Sequence, residues 1–283
     1  MVEPILSGAE EPRVRRPILG YAMVLAATTM WGINGTVSKG ILDAGLSSSR
    51  LTELRSTGAA VALGLALLLT QPWRLRVRRG ELLFLATFGI VGLALVQWLY
   101  FFSIHRLEIG IALLIQYLAP VLIALWARFV MKERVGRRIW VALILSLAGL
   151  TLVVQLWQGF SLDTLGTVAA LGAAVAFALY ILLAEHAVGL RDPVSLLCLG
   201  FAVAAVFWAV VQPWWSFPVG IVDDQVRLDG ALVGTTTPAW LLMVTMIVVG
   251  TILPFLLLVG ALRHISATRV AVTAAARDCQ GPD

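Results

Sequence analysis

Charge is the first thing this sequence has little of. Only 13% of its 283 residues are charged, about half the share that a soluble domain carries, so a soluble fold of this length is excluded. Cysteine is scarce as well. Cys198 lies inside an apolar run and Cys279 near the end, which gives neither a disulfide framework nor a cysteine metal site. No phosphate-cradling glycine loop, metal-ligand cluster or nucleophile triad is visible, so no enzyme and no cofactor is expected. The net charge of +5 would suggest nucleic acid in a soluble chain. Here the bases sit in short segments between apolar runs, where membrane orientation accounts for them, and nucleic acid is not an expected partner.

What the sequence has is apolar length. Hydrophobic residues reach 60% and the mean hydropathy is +0.92. Runs long enough to cross a bilayer follow one another at about 18–42, 50–70, 81–104, 109–131, 139–157, 164–185, 194–216 and 239–262, and another starts at 266. The expectation is an all-α integral membrane protein, a lipid-bilayer resident with eight complete spans and a ninth cut short. Residues 1–17 form a polar tail, and the first run lacks a small-residue cleavage site after a short core, so it reads as a span rather than a removed signal. With the N-terminus inside, the inner segments hold thirteen bases and the outer ones only Arg50, Arg106 and Arg227, which predicts a cytoplasmic N-terminus. The longest loop, 217–238, then falls outside.

One stretch, 106–140, draws most attention. Its apolar run from Ile109 to Val130 holds a single charge, Arg128 near its end, and at 1.5 Å per residue those residues reach roughly 33 Å. Pro120 sits near the middle, and its missing N–H leaves the carbonyl four residues earlier, that of Gln116, without its helical partner. A free carbonyl and an amide side chain at one level belong against a water-filled cavity or another helix, not lipid.

The same stretch carries a resemblance. A short hairpin, small and apolar residues (Gly110, Ala112), a mid-helix proline (Pro120), an acidic-basic turn (Glu133, Arg134) and a glycine-bearing helix (Gly149) resemble the repeated signature of the drug/metabolite transporter superfamily, EamA type. The resemblance implies a bacterial inner-membrane transporter of ten spans, built as an inverted repeat of two five-helix units. In this chain the first unit would be 18–157 and the second, incomplete one 163–276, followed by an atypical tail, 277–283. About 30 residues of the expected pattern are missing from the second unit. An internal repeat is also visible directly. Gly20 laid on Gly166 brings Trp31 onto Phe177, Asn34 onto Tyr180 and Lys39 onto Glu185, and an odd number of spans per unit makes the second cross in the opposite sense.

The candidate substrate site is assembled from polar and aromatic residues inside spans. Trp31 and Asn34 share one helical face, Gln97 and Phe101 another with Trp98 beside them, and Gln116 and Tyr117 flank the proline. Phe177 and Tyr180 come from the sixth span, Thr251 and Phe255 from the eighth. Such a lining suits a small amphipathic solute, with rings against its apolar body and amides on its polar end. Pro120 and Pro254 are candidate hinges, and Lys39 and Glu185 candidate gates. Each has a plainer reading: amides as interhelical hydrogen bonds, the two charges as snorkelling side chains, and Trp73, Trp140, Trp157, Trp214, Trp215 and Trp240 as an interfacial belt.

Arg55 reads as an ion pair with Glu53. His105, His186 and His264 read as loop residues, and no Asp or Glu falls at mid-depth in the first, third, fourth or eighth span. Together with the resemblance, these features predict an exporter of small amphipathic metabolites, aromatic or apolar amino acids first, by facilitated diffusion and alternating access. The alternatives are a multidrug or nucleotide-sugar carrier and, in another class, a membrane receptor or scaffold.

Overall fold

A computed structural model describes residues 16–132, 135–154, 163–223, 225–227 and 236–277. The expected tail 1–15, Glu133 and Arg134, Trp157, and residues 278–283 lie outside the described residues. Helix α1 (Pro17–Asp43) opens on a proline whose missing N–H has no helical partner to lose. It closes at Gly45, whose φ of +103° a side chain would strain. The amides of Gly45 and Leu46 turn back onto the carbonyls of Leu42 (3.0 Å) and Ile41 (3.4 Å), a glycine-dependent helix stop. The chain re-enters at once through α2 (Ser48–Thr70), where Ser47 Oγ caps the Arg50 amide.

The third span is interrupted. Helix α3 (Leu82–Thr87) widens into a π-helical segment, Phe88–Leu95, before α4 (Val96–Arg106). The fourth span breaks too: α5 (Ile109–Gln116) ends, Tyr117 and Leu118 turn, and α6 (Ala119–Phe129) starts with Pro120 in its first turn. Helix α7 (Arg137–Val154) follows.

In the second half, α8 (Thr164–Ala187) and α9 (Pro193–Val211) are capped by the carboxylates of Asp163 and Asp192, on the amides of Gly166 and Ser195. The eighth span comprises α10 (Ala239–Ile247), a second π-helical segment, Val248–Ile252, and α11 (Leu253–Ala261). Helix α12 (Ala267–Arg277) comes last.

Seven helices among the described residues are long and apolar enough to cross a membrane. They coincide with seven of the eight expected complete spans; the other, expected at 139–157, corresponds to α7 and ends beyond Val154, outside the described residues, and α12, with 11 residues, stands where the short ninth was expected. The protein is an all-α multi-pass membrane protein. Large apolar side chains such as Leu69, Leu145 and Val210 stand on its outer surface, where lipid rather than water covers them.

Two local features were not anticipated. The long loop pairs β1 (Gln225–Arg227) antiparallel with β2 (Thr236–Pro238), seated by Val226 in an apolar cluster with Ile41 and Leu42. His105 and His186 occupy the last turns of α4 and α8 rather than loops, while His264 follows α11.

The packing crosses between the two halves of the chain. Helix α1 lies on α11, α4 on α8, and α2 on α9. The first span therefore meets the eighth, the third meets the sixth, and the second meets the seventh. One close approach is made by glycines: a Cβ on Gly89 would stand 2.6 Å from the Gly200 carbonyl and from Val203, and one on Gly200 2.8 Å from Phe88 and Leu93. Small residues are what let helices approach this closely where no hydrophobic effect drives them together.

Candidate functional site

Helices α1, α2, α4, α5, α8 and α11 leave between them a half-open cavity of about 190 Å³. Each wall is set by a local feature of its span. From α1, Trp31 and Asn34 face inward at i and i+3. Trp31 meets Phe177 edge-on at 6.1 Å and Phe255 at 5.3 Å, so rings from the two halves of the chain join in one wall. From α4 come Gln97 and Phe101, and from the end of α5 Gln116 and Tyr117, immediately before the Pro120 break.

Eight of the eleven expected substrate residues thus line one cavity: Trp31, Asn34, Gln97, Phe101, Gln116, Tyr117, Phe177 and Phe255. Three do not. Trp98 turns away, its indole N–H donating to Ser49 Oγ at 3.0 Å and its ring 6.3 Å from that of Trp208. Tyr180 is fully buried behind the lining, between Phe88 at 5.6 Å and Phe177 at 6.0 Å. Thr251 is buried one layer back, donating to the Met246 carbonyl five residues earlier.

The residue that sequence reasoning misplaced is Arg55. It is 3% exposed and lines the cavity. Its expected pairing with Glu53 is incorrect, because Glu53 is held at 2.6 Å by Arg50, one helical turn before it. Arg50 also donates to the Pro213 carbonyl (3.2 Å) and to Ser216, tying α2 to the long loop. Arg55 instead donates through Nε to Thr251 Oγ1 (2.8 Å) and through Nη2 to the Gly250 carbonyl (2.7 Å), and its guanidinium lies 5.1 Å from the Phe101 ring centroid. The signal was in the spacing: residues three apart share a helix face and residues two apart do not.

Both π-helical segments border the site, each offering a backbone carbonyl to a cavity side chain. Gly250 O accepts from Arg55, and Leu93 O accepts from Gln97 Nε2 at 2.9 Å. Asn34 packs directly onto Gly250, in space that any side chain there would fill. The oxygens Asn34 Oδ1, Gln97 Oε1 and Gln116 Oε1 are buried and have no donor among the described residues.

The expected hinges and gates lie outside the lining. Pro120 opens α6 after the turn at Tyr117 and Leu118, and Pro254 lies in the first turn of α11, which continues directly from the π-helical segment. Lys39 is exposed near the end of α1. Glu185 accepts from the Ala267 amide at 2.7 Å and so holds the start of α12. At the end of the bundle away from the cavity, Arg191 pairs with Glu81 at 2.6 Å and Arg74 with Asp192 at 3.3 Å, joining loop 71–81 to loop 187–193.

Apolar crossing helices wrapped around an aromatic and amide cavity define a multi-pass membrane protein with a solute-sized chamber. Residues 18–155 match the EamA-like transporter family. The chain is similar to the threonine/homoserine exporter RhtA of Escherichia coli (strain K12), 29% identical over 177 residues, 58% of this chain and 57% of that protein. The chain thus spans little more than half the length of those exporters. It is also similar to the uncharacterized transporter YwfM of Bacillus subtilis (strain 168), 27% identical over 209 residues, 70% of this chain and 68% of that one. A solved crystal structure shares the fold, with a TM-score of 0.69 at 18% identity, covering 93% of this chain and 90% of the other.

Proposed function

We propose that this protein exports small amphipathic metabolites across the bacterial inner membrane, amino acids first among them, by alternating access. The observation that carries the reading is the single cavity to which both halves of the chain contribute rings, Trp31 from one and Phe177 and Phe255 from the other. A receptor or scaffold has no need of a solute-sized chamber inside the bundle. The packing of first span on eighth, third on sixth and second on seventh supports two inverted units, 18–157 and 163–276, that rock against one another. Their hinges are the helix break at Pro120 and the π-helical segment that runs into Pro254. With the N-terminus in the cytoplasm, the ion pairs Arg191–Glu81 and Arg74–Asp192 close the inner end of this conformation and the cavity faces outward.

No Asp or Glu lines the cavity among the described residues. A carboxylate in the path is the usual means of tying solute movement to protons, so the coupling proposed is facilitated diffusion. Aromatic and apolar side chains are the preferred cargo because six aromatic rings stand in the wall. The exporters of threonine and homoserine similar to this chain make those two amino acids part of any first panel.

The test is flux. Proteoliposomes holding this protein and loaded with labelled phenylalanine, leucine, threonine or homoserine should release at least one of them faster than protein-free vesicles. The rate should be the same with and without an imposed pH gradient at zero potential. Accumulation against the solute gradient driven by protons would contradict the coupling, and no flux of any member of the panel would contradict amino-acid export.

A further inference from the structure

We infer that Arg55 is the carboxylate-binding residue of the cavity and that the side-chain oxygens of Gln97 and Gln116 receive an ammonium group beside it, so that the site is built for a zwitterionic α-amino acid. The inference rests on the transport reading for its use, but on separate observations for its chemistry.

The first observation is a cation without an anion. Arg55 is almost fully buried in a membrane span, and an arginine there normally pairs with a carboxylate or reaches the interface. It does neither. Glu53 is paired with Arg50, no carboxylate among the described residues forms an ion pair with Arg55, and both its hydrogen-bond partners, Thr251 Oγ1 and Gly250 O, are neutral. Those two bonds use Nε and one N–H of Nη2. A guanidinium has five N–H groups, so Nη1 and the second N–H of Nη2 remain for a carboxylate to take in the two-pronged manner. The bonds to the second π-helical segment hold the guanidinium plane for that role.

The second observation is the reverse. Gln97 Oε1 and Gln116 Oε1, on two residues of the cavity wall, lack donors among the described residues, and Gln97 at 5% exposure is more than nine-tenths buried. The Gln97 amide cannot simply turn over, since Nε2 is committed to the Leu93 carbonyl and a flip would set oxygen against oxygen. An ammonium group has three donors and no acceptor, which suits acceptors left without donors.

Together the two halves discriminate. A cationic drug would satisfy the oxygens but meet Arg55. A nucleotide sugar is excluded by size, since a cavity of about 190 Å³ lies below the roughly 300–1,000 Å³ of drug-sized sites.

The experiment measures binding apart from transport. The purified protein in detergent is titrated with the twenty L-amino acids by thermal shift and calorimetry. The tightest is then compared with its carboxamide, which lacks the carboxylate, and with its N-acetyl derivative, which lacks the ammonium. Each derivative should bind at least about tenfold more weakly, the scale of one charged hydrogen-bonded contact. Arg55→Gln should lower affinity for the acid to that for the carboxamide while leaving the carboxamide unchanged, and Arg55→Lys should keep part of the preference. The wild-type comparison stands even where Arg55→Gln does not fold. Equal binding of acid and carboxamide, or binding of no amino acid, overturns the assignment. Acid-selective binding by a protein that carries no flux in vesicles would keep it and remove the transport reading. Flux of acid and carboxamide at equal rates would do the opposite.

Discussion

Gln116 shows how much a single residue can reveal ahead of any fold. Its amide sits immediately before the Pro120 break, and its Oε1 is buried in the cavity without a donor. Gln116→Leu removes the acceptor without adding a polar burden to the span. Insertion and yield should stay at wild-type levels while solute affinity falls about tenfold or more, as expected for loss of a hydrogen bond to a charged group, measured by calorimetry and initial efflux rates. Unchanged affinity would place the solute elsewhere. Residues of this kind were legible because polar and aromatic side chains in apolar runs stand out against their background. What the sequence could not convey was direction. Trp98, Tyr180 and Thr251 share spans with lining residues yet point one layer away, into contacts with Ser49, Phe88 and Met246, and only packing between helices decides that.

Among the elements, span existence and extent follow from hydropathy, and most of the expected boundaries lie within a few residues of the observed helices. The two π-helical segments were invisible, because FGIVGLAL and VVGTI carry no residue that forbids an ordinary turn. Both hold a glycine in a tight tertiary contact, and the second also runs into Pro254, whose missing N–H frees the Gly250 carbonyl. Gly89 lies against Gly200, and Gly250 against Asn34, with no room for a side chain between. Gly89→Ala should therefore lower the melting temperature of the purified protein, since overpacking costs typically 1–3 kcal/mol, with solute affinity in the surviving fraction unchanged. Gly250→Ala should instead reduce affinity, because the methyl group displaces Asn34 from the cavity wall. Equal effects of the two on binding would contradict this division between a packing glycine and a site glycine.

For the whole molecule, the crossed packing of one half on the other makes orientation a sharp question. In a background lacking Cys198 and Cys279, a cysteine at Asp223 should react with an impermeant maleimide added outside intact cells, and one at Arg76 only after permeabilisation. The reverse pattern would invert the chain and put the Arg191–Glu81 and Arg74–Asp192 closure on the outer face. The central claim is that solute passes through the cavity between the two halves. It is tested most directly by placing one cysteine in the cavity wall, Leu113→Cys in the same background, reconstituted in vesicles. A thiol reagent should stop efflux as it reacts, and saturating solute should slow that reaction several-fold. A fully modified Leu113→Cys protein that still carries solute at the unmodified rate would contradict the account.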